Sequence, residues 1–214
     1  MRDQFYGDRK DVLKWTLALQ AAGEEKDILY VAMYRPNEGL HGKDFRPIDQ
    51  AIPQVVRFFD TAREKFVNGQ HRRCVDVVAL LPGRIDLVPE IYEHRARREY
   101  FDRVRGRLGK ASSGKNAVVL LDPDNGIAGV SANSKHVCPE QIEDVWPAMR
   151  PGDVLLVYQH QFRDKEWRSK RRTALSSALG LSQERIRDRC ASDVRDVCFF
   201  EVTKSADDQY QSCD

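Results

Sequence analysis

The chain has 214 residues, with 35 Lys and Arg against 33 Asp and Glu for a net charge of +2, 41% hydrophobic and 32% charged residues. That is enough apolar material for one domain with a sizeable core, and no apolar run approaches the ~18 residues of a membrane span. The polar start MRDQFYGDRKD does not read as a secretory signal. Five cysteines without a C-x-x-C pair argue against a disulfide framework or a Cys-rich zinc site, and they suit a reducing cytoplasm.

Taken in order, residues 11–22 (DVLKWTLALQAA) have the helical spacing of Val12, Trp15, Leu19 and Ala22, and Gly23 follows as a stop. Residues 27–34 (DILYVAMY) form a short apolar run expected as a buried strand, and the Gly- and Pro-bearing stretch after it reads as loop. Residues 52–66 are helical, with Val55, Val56, Phe59 and Ala62 on one face. Residues 75–81 (VDVVALL) read as a second strand stopped by Pro82-Gly83, and 88–108 as a helix whose core contacts are Ile91, Tyr92, Tyr100, Val104 and Leu108. A strand at 117–121, a helix at 139–149 with Pro139 in its first turn, a strand at 153–158 and a helix at 165–179 ended by Gly180 follow. Two last strands, 186–191 and 197–202, are separated only by SDVRD.

Short apolar strands alternating with helices imply βαβ crossovers. The expected architecture is a single α/β domain over residues 1–204, doubly wound and Rossmann-like, with a mainly parallel sheet and a C-terminal antiparallel hairpin. Residues 205–214 are expected as a flexible acidic tail. In such sheets ligands bind beyond the carboxyl ends of the strands. The places to look are therefore Tyr34-Arg35, Leu81-Pro82-Gly83, Asp122 to Asn125, and Tyr158-Gln159-His160.

Two of those ends carry chemistry. In LDPDNG, Asp122, Asp124 and Asn125 are catalytic candidates, although Pro, Asp, Asn and Gly are also ordinary turn residues. In YQH, His160 is a candidate base, while Tyr158 and Gln159 are candidates for recognising a planar substrate. Lys135 and His136, in the loop after the Asp motif, are substrate-binding candidates, as are Asp11 and Lys14, which share one helix face.

Two basic segments point to RNA or DNA. Residues 94–110 carry Arg95, Arg97, Arg98, Arg103 and Arg105. Residues 163–172 carry Arg168, Arg171 and Arg172. Tyr100, Phe101 and Trp167 are interleaved where they could stack on bases. The motifs G-x-G-x-x-G, Walker A, G-x-S-x-G and H-E-x-x-H are all absent.

GDRKDVLKW, followed about a dozen residues later by ILYV, resembles the large-subunit ribosomal-RNA adenine-N6 methyltransferases, through Gly7, Asp11, Val12, Leu13 and Lys14. Asp122-Pro123 stands where that family has D-P-P-Y, whose Asp holds the target amine. The resemblance implies a methyltransferase-like fold and S-adenosylmethionine as methyl donor. The chain departs from the family after the first strand, where Ala32 to Gly39 replaces an acid and a glycine-rich loop. It departs again after the second, where Pro82-Gly83-Arg84 replaces a ribose-binding acid and Asp86 is a late candidate. Asp124 and Asn125 replace the second proline and the aromatic residue. YGD, KW, LDPDNG, KH and YQH together also resemble a set of uncharacterised bacterial and phage proteins.

Three readings follow. The first is a nucleic-acid-directed enzyme performing N-methyl transfer to a base amine. The second is a metal-dependent phosphoesterase or nuclease, with Asp122 and Asp124 on Mg²⁺ or Mn²⁺ and His136 or His160 as base or ligand; a primase-type variant of it needs a Glu at the end of an earlier strand, and Glu38 lies too far into the loop for that place. The third is a non-catalytic nucleic-acid-binding protein. All three place the cleft over Asp122, Lys135-His136 and Tyr158 to His160. A strand-end acid is expected to lie outside the core, so Asp122→Ala should cost little stability.

Overall fold

The computed structural model describes residues 1–37, 44–67, 74–110, 114–129 and 132–209, without the side chains of 65–67, 110 and 209. Glu38 and tail residues 210–214 lie outside the described residues. The first helix, α1 (Arg9–Ala22), starts two residues ahead of the expected start, where Asp8 caps it by accepting from the Lys10 and Asp11 backbone N–H groups at 2.9 and 3.0 Å. It is buried on nearly every side, which explains a helix that carries Trp15, Leu17 and Leu19 as well as polar groups that need internal partners.

Next come β1 (Asp27–Val31), α2 (Pro53–Val67), β2 (Ile85–Val88), α3 (Arg97–Lys110) and β3 (Ala117–Leu121). The chain continues through the two-residue strands β4 (Gly126–Ile127) and β5 (His136–Val137), α4 (Pro139–Val145), β6 (Val154–His160), α5 (Trp167–Leu179), β7 (Arg187–Ala191) and β8 (Val194–Thr203). The six-stranded sheet has the order β2-β1-β3-β6-β8-β7. Its first four strands are parallel, β8 is antiparallel to β6, and β7 is antiparallel to β8. This is a mixed α/β fold of Rossmann-like kind, and β4 pairs with β5 as a separate small parallel ladder. Among the described residues no helix is long and apolar enough to cross a membrane.

The sheet splits the core in two. Val118 and Leu120 of β3 pack with α1 and α2 on one face, while Val119 and Leu121 pack with α3, α4 and α5 on the other. Burial on both faces accounts for the continuous apolar runs AVVLL and VLLVY. Because β2 lies on one side of β1 and β3 on the other, the winding reverses between β1 and β3, and a crevice opens there at the carboxyl ends.

The run 75–81 is not a strand. Cys74–Leu80 is a 3₁₀ helix, and Cys74, Val77 and Leu80 are buried at every third position, the period of a three-residue turn. The edge strand is IDLV instead, paired with β1 from Ile28–Ile85 to Val31–Val88. Pro82-Gly83 therefore leads into a strand rather than ending one. The helix expected from residue 88 starts only at Arg97, and Ile91, expected in the core, is 52% exposed.

Candidate functional site

A cleft of about 970 Å³ lies over the carboxyl edge of β3 and β6, walled by the start of α1, the Asp122 to Asn125 loop and residues 192–196 in the β7–β8 turn and the start of β8. Asp122 and Lys14 meet in its floor. Lys14 Nζ is 2.7 Å from Asp122 Oδ2 and 2.5 Å from Asp11 Oδ1, and Tyr30 donates its hydroxyl to the same Asp122 oxygen at 2.7 Å. Asp11 Oδ2 in turn accepts the Gly7 N–H at 2.9 Å.

Asp122 is 3% and Lys14 2% exposed. Burial pushes the Lys14 ammonium down, but the Asp11 and Asp122 carboxylates outweigh it and lift the group above its ordinary value. The Tyr30 phenol is raised by burial and by the Asp122 charge beside it. The expectation that Asp122 stands outside the core is corrected: it compensates a buried cation. Both of its bonds use Oδ2, so Oδ1 has no protein partner among the described residues.

The loop is clamped to β6 by Gln159, expected as a substrate-binding residue. Its Oε1 accepts the Ile127 N–H at 2.9 Å, and its Nε2 donates to the Asn125 and His160 carbonyls at 3.0 and 2.7 Å. Gln159 is fully buried and faces the loop's underside, away from the cleft. Gly126 has φ +106°, and a Cβ there would sit 2.4 Å from the Gln159 amide, so the motif's glycine is required twice over.

Asp124 lines the cleft in contact with the Met1 amino nitrogen (2.9 Å), Arg2 Nε (3.2 Å) and Arg35 Nη1 (3.1 Å). Burial pushes its carboxyl up, but these cations hold it below the usual range. The Asn125 side chain lines the cleft and has no partner among the described residues.

At the end of β6, His160 Nδ1 lies 3.0 Å from the Gln161 carbonyl. A carbonyl only accepts, so Nδ1 carries a proton, and Nε2 lies 3.0 Å from Lys10 Nζ and 3.4 Å from Asp196 Oδ2. Lys10 and Asp196 are 2.5 Å apart, and the bonds from His160 and Lys10 hold the Asp196 carboxyl well below the usual range against its partial burial. Tyr158 also lines the cleft, edge-on to Phe199, and its hydroxyl has no hydrogen-bond partner among the described residues.

Lys135 and His136 part company. Lys135 lines the cleft, where its ammonium meets no carboxylate among the described residues. His136 is turned away, its ring stacked on Phe162 and its Nδ1 2.9 Å from Asn133 Oδ1. Burial, with Arg171 and Lys135 nearby, lowers its affinity for a proton.

The basic segments do not border the cleft. Arg95, Arg97, Arg98, Arg103 and Arg105 are exposed in and just before α3, on the sheet's other face; Arg97 meets His94 at 3.0 Å and Arg105 pairs with Asp102. The α5 arginines serve the fold. Arg168 donates to the Arg195 carbonyl at 3.2 Å, Arg171 to the Ala128 carbonyl at 2.9 Å, and Arg172 Nε to Asp188 at 3.1 Å. Tyr100, Phe101 and Trp167 are buried, so the expected base-stacking surface is absent; the Tyr100 hydroxyl instead accepts the Met33 N–H at 3.0 Å.

Neither implied cofactor fits the residues present. At the crevice between β1 and β3, the Met1 nitrogen sits on the Ala32, Met33 and Asp122 carbonyls at 3.1, 3.2 and 3.3 Å, where a nucleotide-type ligand would need open backbone. Asp86 lies within β2 and binds Arg107 at 2.5 Å, so it is not placed for a ribose. For Mg²⁺ or Mn²⁺, Asp122 and Asp124 are each already countered by protein cations, and no group of three His, Cys, Asp or Glu comes together among the described residues.

Several site residues were missed in the sequence. Lys10 lay beside the residues singled out in GDRKD, and Asp193 and Asp196 were read only as the link SDVRD; yet Asp193 holds Arg9 at 2.8 Å and Asp196 holds Lys10. Comparison with models of known protein families and with curated proteins finds no match in either case, so the site stands on its own geometry.

Proposed function

We propose that the chain is an enzyme acting on a nucleotide or a nucleic-acid end bound in this cleft. The observation that carries the reading is Asp122: Lys14 and Tyr30 fix one carboxylate oxygen and leave the other to accept a proton or a hydrogen bond from a substrate amine. A pre-oriented acceptor in a water-poor floor is what transfer chemistry at an amine requires. Lys135 and Arg195, both on the cleft wall, offer charge to a phosphate, and Asn125 and Tyr158 offer hydrogen bonds to a base edge. His160 Nε2, beside Lys10 and Asp196, adds a second polar group at the cleft's other side.

The mainly parallel sheet ending in antiparallel strands agrees with the methyltransferase-like fold that GDRKDVLKW suggests.

The test is thermal stabilisation by AMP, ATP and a short 5′-phosphorylated oligonucleotide. At 100 times its dissociation constant a ligand adds ~2.7 kcal/mol. Stabilisation that is weakened at least tenfold in affinity by Lys135→Met supports the reading, and no shift with any of the three at millimolar concentration sinks it. Including S-adenosylmethionine and Mg²⁺ in the same series tests the two cofactor readings directly.

A second reading rests on Arg95, Arg98 and Arg103, which are exposed and unpaired among the described residues. Here α3 would bind nucleic acid apart from the cleft, with an affinity that falls as salt rises. Affinity unchanged between low and high salt rules this out.

A further inference from the structure

The sulfur atoms of Cys190 in β7 and Cys198 in β8 lie 2.8 Å apart. Arg189 opposite Phe199 is the last regular pair before them, and the ladder then slips, resuming with Ala191 opposite Val194. Directly after the Arg189–Phe199 pair, the two strands hold the sulfurs in bonding reach at 2.8 Å.

The two thiols are not equivalent. Cys198 is fully buried and Cys190 half-buried, so a reagent from solvent reaches Cys190. The sulfur–sulfur contact with Cys198 draws the Cys190 thiol below its usual range against burial, with Arg168 and Arg172 of α5 assisting and Asp188 opposing. The same contact, with burial, pushes Cys198 up. One sulfur is primed as an attacking thiolate and its neighbour is positioned as the resolving thiol.

We propose that Cys190 and Cys198 form an oxidisable dithiol whose oxidant is a peroxide, closing to an intrachain disulfide. The Cys190 thiolate attacks one oxygen of hydrogen peroxide; the O–O bond breaks, an S–O bond forms and hydroxide leaves. Cys198 then gives up its proton and attacks the Cys190 sulfur, forming the S–S bond as the sulfenic oxygen departs as water. In total the two thiols lose two electrons and two protons, and peroxide becomes two waters. The bond spans the turn with Asp193 and the start of β8 with Asp196, so the modification lies next to the cleft wall without being part of it. The proposal is independent of what the cleft binds.

The experiment uses the full reduced chain, treated with hydrogen peroxide, alkylated after denaturation and digested with trypsin without reductant. Cleavage after Arg189, Arg195 and Lys204 separates peptide 190–195 from peptide 196–204. The expected result is that most of both peptides is recovered joined, lighter than their sum by two hydrogen atoms and released by dithiothreitol. In Cys198→Ser, Cys190 should stop at the sulfenic acid and be trapped by dimedone. Recovery of both cysteines as separate alkylated peptides, or of Cys190 as sulfinic acid with Cys198 still free, overturns the proposal. The wild-type digest decides this even if the variant fails to fold.

Discussion

Replacing Asp122 by alanine should lower stability by roughly 3–5 kcal/mol, the range for removing one partner of a buried ion pair. The figure follows from what is left behind. Lys14, 2% exposed, keeps Asp11 at 2.5 Å but loses its second carboxylate at 2.7 Å. The Tyr30 hydroxyl loses its acceptor in a fully buried position, which alone costs about 1–3 kcal/mol. In a chain of 214 residues each kcal/mol shifts the melting temperature by about 2–4 °C, so a drop of ~6–20 °C is expected. Asp122→Asn keeps an oxygen for Tyr30 and removes only the charge, so its loss should be smaller, about 1–3 kcal/mol. Urea unfolding followed by circular dichroism measures both. If Asp122→Ala unfolds within ~1 kcal/mol of wild type, the ion network does not hold the floor of the cleft, and this reasoning fails.

Tyr30→Phe leaves Lys14 on Asp122 and should cost ~1 kcal/mol by the same assay; a loss as large as that of Asp122→Ala would contradict the assigned hierarchy. Burial and the neighbouring Asp11 charge raise the Asp8 carboxyl to about 7. A raised folded value means that the contribution is full below the unfolded value near 3.8 and is lost as pH rises through about 7. Asp8→Asn, which keeps the cap, should therefore gain on wild type between pH 4 and pH 8, and an unchanged difference at the two pH values refutes the shift. Gly126→Ala must place a Cβ 2.4 Å from the Gln159 amide at positive φ, and should cost roughly 2–4 kcal/mol in a denaturation curve. A neutral result would show that the loop shifts freely.

The central parallel strands β1, β3 and β6 were legible because burial on both faces makes them nearly uniformly apolar, as in AVVLL and VLLVY, whereas the half-exposed edge strand IDLV was not. VDVVALL misled because a short apolar run carries no clear period. Its true signal, burial of Cys74, Val77 and Leu80 at threefold spacing, is drowned by Val75, Val78 and Leu81. Within the site, Asp122 and Lys14 could be singled out by position, but their pairing across 108 residues of chain could not. Nor does a sequence distinguish Lys135, facing the cleft, from His136, facing Phe162, when the ladder between β4 and β5 is two residues long. The arginines of α5 show the same limit: a run of charge looks alike whether it faces water or braces carbonyls and carboxylates.

Gly126 and Gln159 make the acidic loop and the end of β6 a single packing unit. A larger residue at 126 is tolerable only where position 159 shrinks, and a shrunken 159 frees the Ile127 N–H and releases the Asn125 carbonyl from one of its two donors. Neither position can drift alone. In relatives of this chain LDPDNG and YQH should thus be kept or lost together, and a sequence that changed only one of them would need a different way to hold Asp122 over Lys14.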